Sequence, residues 1–231
     1  MSKQALVTGA SSGIGLAITR QLLAQDYRVT GISRRGQVAG LEDENFVPHS
    51  LDLGDLELVE RRIGELLQTC EFDCFIHAAG RGDFGSIEQF SRARMEESMR
   101  VNLLSGMLIC RGLIPRMRRL GRGRIIFIGS ESSLQAGRKG ALYSAAKFGL
   151  RGFSQALRED CAADGIQVSL VNPGMVRSPF FDALDFAPGT RPENAIEVDD
   201  VAAVVLQILQ SSSNIVIDEI NLTARVKSID F

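Results

Sequence analysis

Thr8-Gly9-Ala10-Ser11-Ser12-Gly13-Ile14-Gly15 is the most informative stretch of the chain. It follows an apolar run, Gln4 to Thr8, and leads straight into Leu16-Ala17-Ile18-Thr19-Arg20-Gln21-Leu22-Leu23, which has helical periodicity. A strand, a glycine turn and a helix start in that order aim backbone N–H groups and the positive end of a helix at one spot, where a pyrophosphate can be held. Gly13 and Gly15 permit close approach of the backbone to such a group. The spacing is G-x-x-x-G-x-G rather than G-x-G-x-x-G, and a glycine turn alone also fits a plain tight turn. The surrounding elements must choose between the two.

Outward from that turn, short runs rich in Val, Ile and Phe alternate with longer helical segments. Strands are expected at Gln4 to Thr8, Tyr27 to Ser33, Phe46 to Ser50, Phe72 to Ala78, Arg124 to Gly129, Ile166 to Val171 and Asn214 to Leu222, with helices beginning near Gly13, Asp55, Phe90, Gly140 and Val198. Gly54-Asp55 reads as a turn and N-cap, Asp164-Gly165 as a helix stop. The repeated βαβ pattern implies an α/β fold: a single-domain, Rossmann-like, doubly wound parallel sheet of about seven strands with helices on both faces. No repeat, low-complexity tract or linker divides the chain, so one domain is expected over residues 1–231. The longest irregular stretch, Asn172 to Glu197, has the length of a lid or binding loop, and a substrate lid is expected near 174–197.

Composition agrees with that class. The chain has 231 residues, 45% hydrophobic and 23% charged, which argues against a disordered, collagen-like or coiled-coil protein. Twenty-six basic against 28 acidic residues give a net charge of −2, too little to collect a nucleic-acid backbone. The basic run Arg116 to Arg124 reads as a solvated helix end, where cations complement the dipole. Met1-Ser2-Lys3-Gln4 runs into a strand without a signal-type apolar region, and no run of about eighteen apolar residues occurs, so a cytoplasmic protein without a membrane partner is expected. Cys70, Cys74, Cys110 and Cys161 are too scattered for a disulfide framework, and with His49 and His77 the only histidines, no metal site is expected.

The second strand ends Ile32-Ser33-Arg34-Arg35, where a dinucleotide fold carries an acid for a ribose or an Arg for a 2′-phosphate. Two arginines and no acid predict NADP(H) over NAD(H); a solvated loop charge is the alternative. Farther on, Tyr143 and Lys147 lie at i and i+4 of a helix, on one face, and a cation within reach of a phenol favours the phenolate. Ser130 ends the fifth strand at the carboxyl edge of the sheet, where open α/β folds bind ligands. Asn102 stands among apolar residues in Met99-Arg100-Val101-Asn102-Leu103, which suggests either a function or a helix kink.

With these residues in view, the chain resembles the short-chain dehydrogenase/reductase family over nearly its whole length. The resemblance rests on motifs in order: the Thr8 to Gly15 turn, Asp52-Leu53, Ala79-Gly80, Asn102, Ser130, Tyr143 with Lys147 and Pro173-Gly174, with Ser130 thirteen residues before Tyr143. It implies that Tyr143 is the general acid toward a carbonyl, and the base toward an alcohol in reverse. Ser130 would polarise the same oxygen, Lys147 would lower the phenol pKa and hold the nicotinamide ribose, and Asn102 would place a water that relays protons to Lys147. Cofactor contacts are implied for Gly9, Ser11, Ser12, Gly13, Ile14, Gly15, Ser33, Arg34, Arg35, Asp52, Leu53, Ala79, Gly80, Tyr143, Lys147, Pro173, Gly174, Val176 and Ser178.

The chain departs from the family pattern in three places. His77-Ala78-Ala79-Gly80 stands where the family commonly has two asparagines before Ala-Gly, and His77 is expected to be a satisfied histidine inside the sheet. Ser178 replaces the more usual Thr. The C-terminal strand lacks the Asp-Gly-Gly ending of many fatty-acid-type ketoreductases. Phe180, Phe181, Leu184 and Phe186 suggest an apolar lid or a core-capping helix, while Glu131, Gln135, Arg138 and Lys139 near the expected mouth suggest a substrate with a polar or anionic end. The resemblance further implies a homodimer or homotetramer built on two long helices. The resulting expectation is an NADP(H)-dependent oxidoreductase acting on a small-molecule carbonyl or secondary alcohol; the alternative is a catalytically idle NADP(H)-binding regulatory or scaffold protein of the same fold.

Overall fold

The computed structural model describes residues 2–38 and 40–230, so Met1, Ala39 and Phe231 lie outside the description. Strand β1 (Gln4–Thr8) passes through the glycine turn into α1 (Gly13–Leu23), followed by β2 (Arg28–Ser33), β3 (Phe46–Ser50), α2 (Leu56–Thr69) and β4 (Cys74–His77). Next come α3 (Arg92–Met99), a π-helical turn at Arg100–Leu104, α4 (Ser105–Leu120), β5 (Gly123–Ile128), α5 (Ala141–Cys161), β6 (Ile166–Pro173), α6 (Val198–Gln210) and β7 (Glu219–Leu222). The seven strands form one parallel sheet in the order β7-β6-β5-β4-β1-β2-β3. Chain order reverses between β1 and β4, which places a crevice at their carboxyl ends.

Strand alternation assigns the core. Ala5 and Val7 of β1 join Ile18 and Leu22 of α1 and Val205 and Ile208 of α6 on one face. Leu6 between them joins Phe75, Phe127, Ile63 of α2, Ile109 of α4 and Leu150 of α5 on the other. With helices on both faces the strands read as continuous apolar runs, and that is how the sequence shows them.

Several boundaries differ from expectation. The last strand begins at Glu219, not Asn214, because other groups take the carbonyls ahead of it. Gln167 donates its amide to the carbonyls of Ser212 and Ile215, and Arg124 donates to those of Ile208 and Ser211. Pairing with β6 starts only at Glu219 opposite Leu170. The helix expected near Phe90 starts at Arg92, where the Ser91 hydroxyl caps the amide of Arg94 at 3.2 Å. The segment expected to be irregular begins later, since β6 runs on to Pro173, and its ends are tied by Val176–Arg177 pairing with Ile196–Glu197.

The arginines after Arg116 make local bonds: Arg118 pairs with Asp164 at 2.6 Å and Arg122 with Asp73 at 3.3 Å. Cys74, Cys110 and Cys161 are buried thiols and Cys70 is partly exposed. Among the described residues no helix is long and apolar enough to cross a membrane.

Candidate active site

The glycine turn has its composition for steric reasons. Gly9 takes a left-handed φ of +73°, donates its N–H to Ile32 O at 2.8 Å, and would place a Cβ 2.9 Å from the amide nitrogen of Ala79. A Cβ on Gly15 would stand 2.3 Å from the carbonyl oxygen of Gly9. Both positions are closed to side chains, and this lets the chain reverse tightly beside the end of β4. Ile14 continues the turn into α1, whose N-cap, Ser12, makes no side-chain capping bond and whose first turn carries no acid. The positive end of α1 is therefore not neutralised by its own sequence. Gly13 faces Ser178 from the loop after β6, where a Cβ would lie 3.5 Å from Ser178 Cβ, so the two segments lie side by side.

At the end of β2, Ser33 is buried while Arg34 and Arg35 are exposed. The guanidinium of Arg35 reaches back to Ser11, 3.3 Å from its hydroxyl and 3.4 Å from its carbonyl. Arg34 is engaged through its backbone, its carbonyl accepting from Ser50 Oγ at 2.8 Å. Asp52 accepts the amide of Gly54 at 2.9 Å, an Asx turn, while Leu53 is buried beneath it.

Tyr143 and Lys147 of α5 are both buried, and Lys147 Nζ lies 5.7 Å from the centroid of the Tyr143 ring. Nζ donates to the carbonyl of Ile128 at the end of β5, at 2.9 Å. The expected lowering of the phenol pKa is not found in this structure. Burial pushes Tyr143 up to about 12; the Ser130 hydroxyl pulls against that rise and the carboxylate of Glu131 adds to it. Burial also pushes Lys147 down, to about 8.

Ser130 is held by a network that sequence reasoning did not resolve. Asn172, buried in β6, accepts from Ser130 N at 3.3 Å and from Ser133 Oγ at 2.7 Å. Its amide donates to Glu219 Oε1 at 3.1 Å and Asn221 Oδ1 at 2.9 Å in β7. Glu219 in turn pairs with Arg151 of α5 at 3.0 Å, so the helix carrying Tyr143 and the turn carrying Ser130 share one polar chain. Pro173-Gly174 marked this place in the sequence; the partners of Asn172, 39 to 49 residues away, left no local pattern.

Asn102 sits in the π-helical turn. Its amide donates to the carbonyls of Ser98 (3.0 Å) and Arg81 (3.2 Å), and its Oδ1 accepts Arg81 N at 3.0 Å. It fixes both the widened helix and the loop after β4. A Cβ on Gly80 would lie 3.1 Å from Asn102 Oδ1 and 3.6 Å from Lys147 Nζ, so Ala79-Gly80 brings the two together. His77 departs in part from expectation: Nδ1 pairs with Thr8 Oγ1 at 2.9 Å, and that oxygen also accepts Ala79 N at 3.3 Å, but Nε2 has no hydrogen-bond partner among the described residues.

After β6, Gly174 N donates to Leu222 O at 2.8 Å, Val176 is buried, and Ser178 Oγ donates to Val176 O at 3.3 Å. The segment beyond covers Tyr143 with aromatic rings. Phe180 lies 5.8 Å from the Tyr143 ring, and Phe84, from the loop after β4, lies 5.0 Å from it. Phe186 meets Phe84 edge-on at 5.0 Å, and Phe181 joins Phe180 at 5.2 Å. The side chains of Arg138 and Lys139, by contrast, are exposed; Lys139 engages this region through its carbonyl, which accepts Gly85 N at 2.7 Å.

The crevice at the strand-order reversal, the glycine turn at its floor and the Ser-Tyr-Lys group on its wall define an oxidoreductase of the short-chain dehydrogenase family. The chain belongs to that family: its short chain dehydrogenase model matches residues 3–186. The chain is 32% identical over 196 residues to the uncharacterized oxidoreductase YbbO of Escherichia coli strain K12, covering 83% of this chain and 72% of that one. It is 30% identical over 226 residues to carbonyl reductase family member 4 of Danio rerio, covering 91% and 92%. Its fold matches the alcohol dehydrogenase of the archaeon Thermococcus sibiricus, solved in complex with 5-hydroxy-NADP, with a TM-score of 0.85 at 24% identity over 99% of both chains.

Proposed function

We propose that the chain is an NADP(H)-dependent carbonyl reductase that also runs as an alcohol dehydrogenase. The observation that carries this reading is the burial of Tyr143 and Lys147 on one face of α5, with the Ser130 hydroxyl acting on the same phenol. A phenol that keeps its proton well above neutral pH is a general acid for a carbonyl oxygen gaining negative charge, and Ser130 donates a second hydrogen bond to that oxygen. Lys147 connects Tyr143 to the interior through Ile128 and Gly80, beside Asn102.

The residues present fit a dinucleotide. The Gly9 to Gly15 turn and the open first turn of α1 receive a pyrophosphate, with Ser11 and Ser12 at its edge. Arg35, aided by Arg34 and Ser33, takes a 2′-phosphate, and Asp52 and Leu53 flank the adenine. Pro173, Gly174, Val176 and Ser178 line the nicotinamide end, under a lid formed by residues 174–197. A bound nicotinamide supplies the hydride. Support for NADP comes from the Thermococcus sibiricus neighbour, and support for carbonyl reduction from the Danio rerio relative.

We also infer a homodimer or homotetramer, since Leu104 beside α4 and Phe148 on α5 are 36% and 42% exposed. Light scattering at micromolar concentration checks it. The function is tested by NADPH oxidation at 340 nm over a carbonyl panel with Tyr143→Phe as control. Turnover that Tyr143→Phe abolishes is expected; turnover equal in the variant would overturn the assignment of Tyr143.

A further inference from the structure

Three observations bear on which carbonyl enters. The first is the enclosure of Tyr143 by aromatic rings from two separate loops, Phe84 after β4 and Phe180 after β6, extended by Phe181 and Phe186. Gly82 lets the two loops close on one another: a Cβ there would stand 2.9 Å from Phe180 Cζ and 3.1 Å from Leu184 Cδ1.

The second is that the cations around this enclosure are already paired. Arg94 meets the buried carboxylate of Asp83 at 2.5 Å, and Arg81 meets Asp83 at 3.5 Å and also Glu97. Lys227 is paired with Glu131 at 2.8 Å, and Lys147 is turned onto the Ile128 carbonyl. The third is the charge balance beside Ser130. Glu131 directly follows Ser130 and its carboxylate lies near Gly174, where a Cβ would be 3.3 Å from Oε2. A carboxylate on the substrate would approach a Glu131 whose charge Lys227 already partly offsets, and would lose its water with no unpaired cation among the described residues lining the rings to replace it. Arg138 and Lys139, among the residues that suggested a polar or anionic substrate end, are exposed and make no ion pair with the enclosure among the described residues.

We propose that the substrate is an uncharged, flat aryl ketone, aryl aldehyde or aryl dione, its ring seated among Phe84, Phe180 and Phe186 and its carbonyl oxygen at Tyr143 and Ser130. The proposal rests on the carbonyl-reductase reading and deepens it. An aryl ring entering this site exchanges one set of offset and edge-on ring contacts for another, whereas an aliphatic chain of equal size gives up that part of the contact.

The test compares three carbonyls with the full-length chain and NADPH: 1-phenylpropane-1,2-dione, phenylglyoxylate, which keeps the ring but adds a carboxylate, and hexane-2,3-dione, which keeps the dione but lacks the ring. The phenyl dione is expected to exceed both others in kcat/KM by about tenfold or more. Phe84→Leu and Phe180→Leu are each expected to lower the phenyl dione to hexanedione ratio about two- to tenfold. Phenylglyoxylate or hexanedione turned over as well as the phenyl dione would overturn the proposal, as would a ratio unmoved in both variants. Failure of the reductase reading looks different, with no carbonyl turned over at all. In that event saturation-transfer NMR of the same three compounds on the NADPH-saturated chain is decisive. Preferential binding of the phenyl dione sustains the aryl site, and equal or weaker binding removes it.

Discussion

Lys227, near the C-terminus, holds Glu131 at 2.8 Å, and Glu131 is the residue directly after Ser130. The ion pair ties residue 227 to the turn that carries Ser130 and partly neutralises a carboxylate that raises the Tyr143 pKa. In the proposed mechanism alcohol oxidation requires Tyr143 as the phenolate, so its kcat/KM is expected to rise with pH as the phenol ionises. Glu131→Gln removes a negative charge and is expected to move that rise to lower pH. Lys227→Met leaves the charge less neutralised and is expected to move it to higher pH. Both shifts should be less than about one pH unit because the pair is partly solvated. Profiles of alcohol oxidation between pH 7 and about 11 decide this, and superimposable curves for both variants would remove Glu131 from the electrostatics of the phenol.

His77 makes the fold acid-sensitive. Burial, helped by the Lys147 cation, lowers its pKa to about 3, against an ordinary 6.5. Below pH 6.5 the unfolded chain takes up a proton that the folded chain refuses until about pH 3, so stability falls as pH drops through that window. The slope approaches about 1.4 kcal/mol per pH unit. His77→Asn deletes this component while leaving the smaller contribution of His49, which is also lowered by burial. Urea unfolding at pH 7 and pH 5 should show the wild type losing about 2 kcal/mol more than the variant. Equal losses would mean that His77 is reached by water in the folded state.

The fold was legible in the sequence wherever one local rule governs. Gly9 and Gly15 are dictated by a left-handed φ and by a Cβ with no room, and the spacing of Tyr143 and Lys147 by helix periodicity. What stayed hidden depends on partners distant in sequence. The residues from Asn214 to Asp218 look like strand, but Gln167 and Arg124 occupy the nearby carbonyls first. Of two adjacent arginines, only the folded turn shows that Arg35 reaches Ser11. Phe84 shows nothing in its own stretch that would place it on Tyr143, 59 residues later in the chain. The expectation for the phenol pKa failed because proximity was legible and burial was not.

Asn172 is a positioning residue for Ser130. It is buried, accepts from Ser130 N and Ser133 Oγ, and donates to Glu219 and Asn221. Asn172→Ala leaves these groups short of partners inside the protein and is expected to cost about 2 to 4 kcal/mol of stability in urea unfolding. In the role proposed for Ser130, its displacement would weaken a hydrogen bond that strengthens as charge develops on the carbonyl oxygen. In the folded variant kcat should therefore fall more than tenfold, a rough expectation, while KM changes little. A rise in KM at constant kcat would instead assign Asn172 to substrate binding.

Cofactor choice separates the two arginines after β2. Arg35 extends to Ser11 at the mouth of the glycine turn, while Arg34 is fixed by its carbonyl to Ser50. A 2′-phosphate resting near Ser11 would gain charge-assisted hydrogen bonds from Arg35, worth about 1.5 to 3 kcal/mol, or about ten- to a hundredfold in affinity. Arg35→Asp replaces that gain with repulsion of the phosphate and offers a carboxylate to the unphosphorylated ribose of NAD(H). The ratio of kcat/KM for NADPH over NADH is expected to fall by at least about a hundredfold in Arg35→Asp, and by a smaller factor in Arg34→Asp. If Arg34→Asp shows the larger loss, the guanidinium of Arg35 serves the turn rather than the phosphate. If neither variant moves the ratio, the end of β2 does not set the cofactor choice.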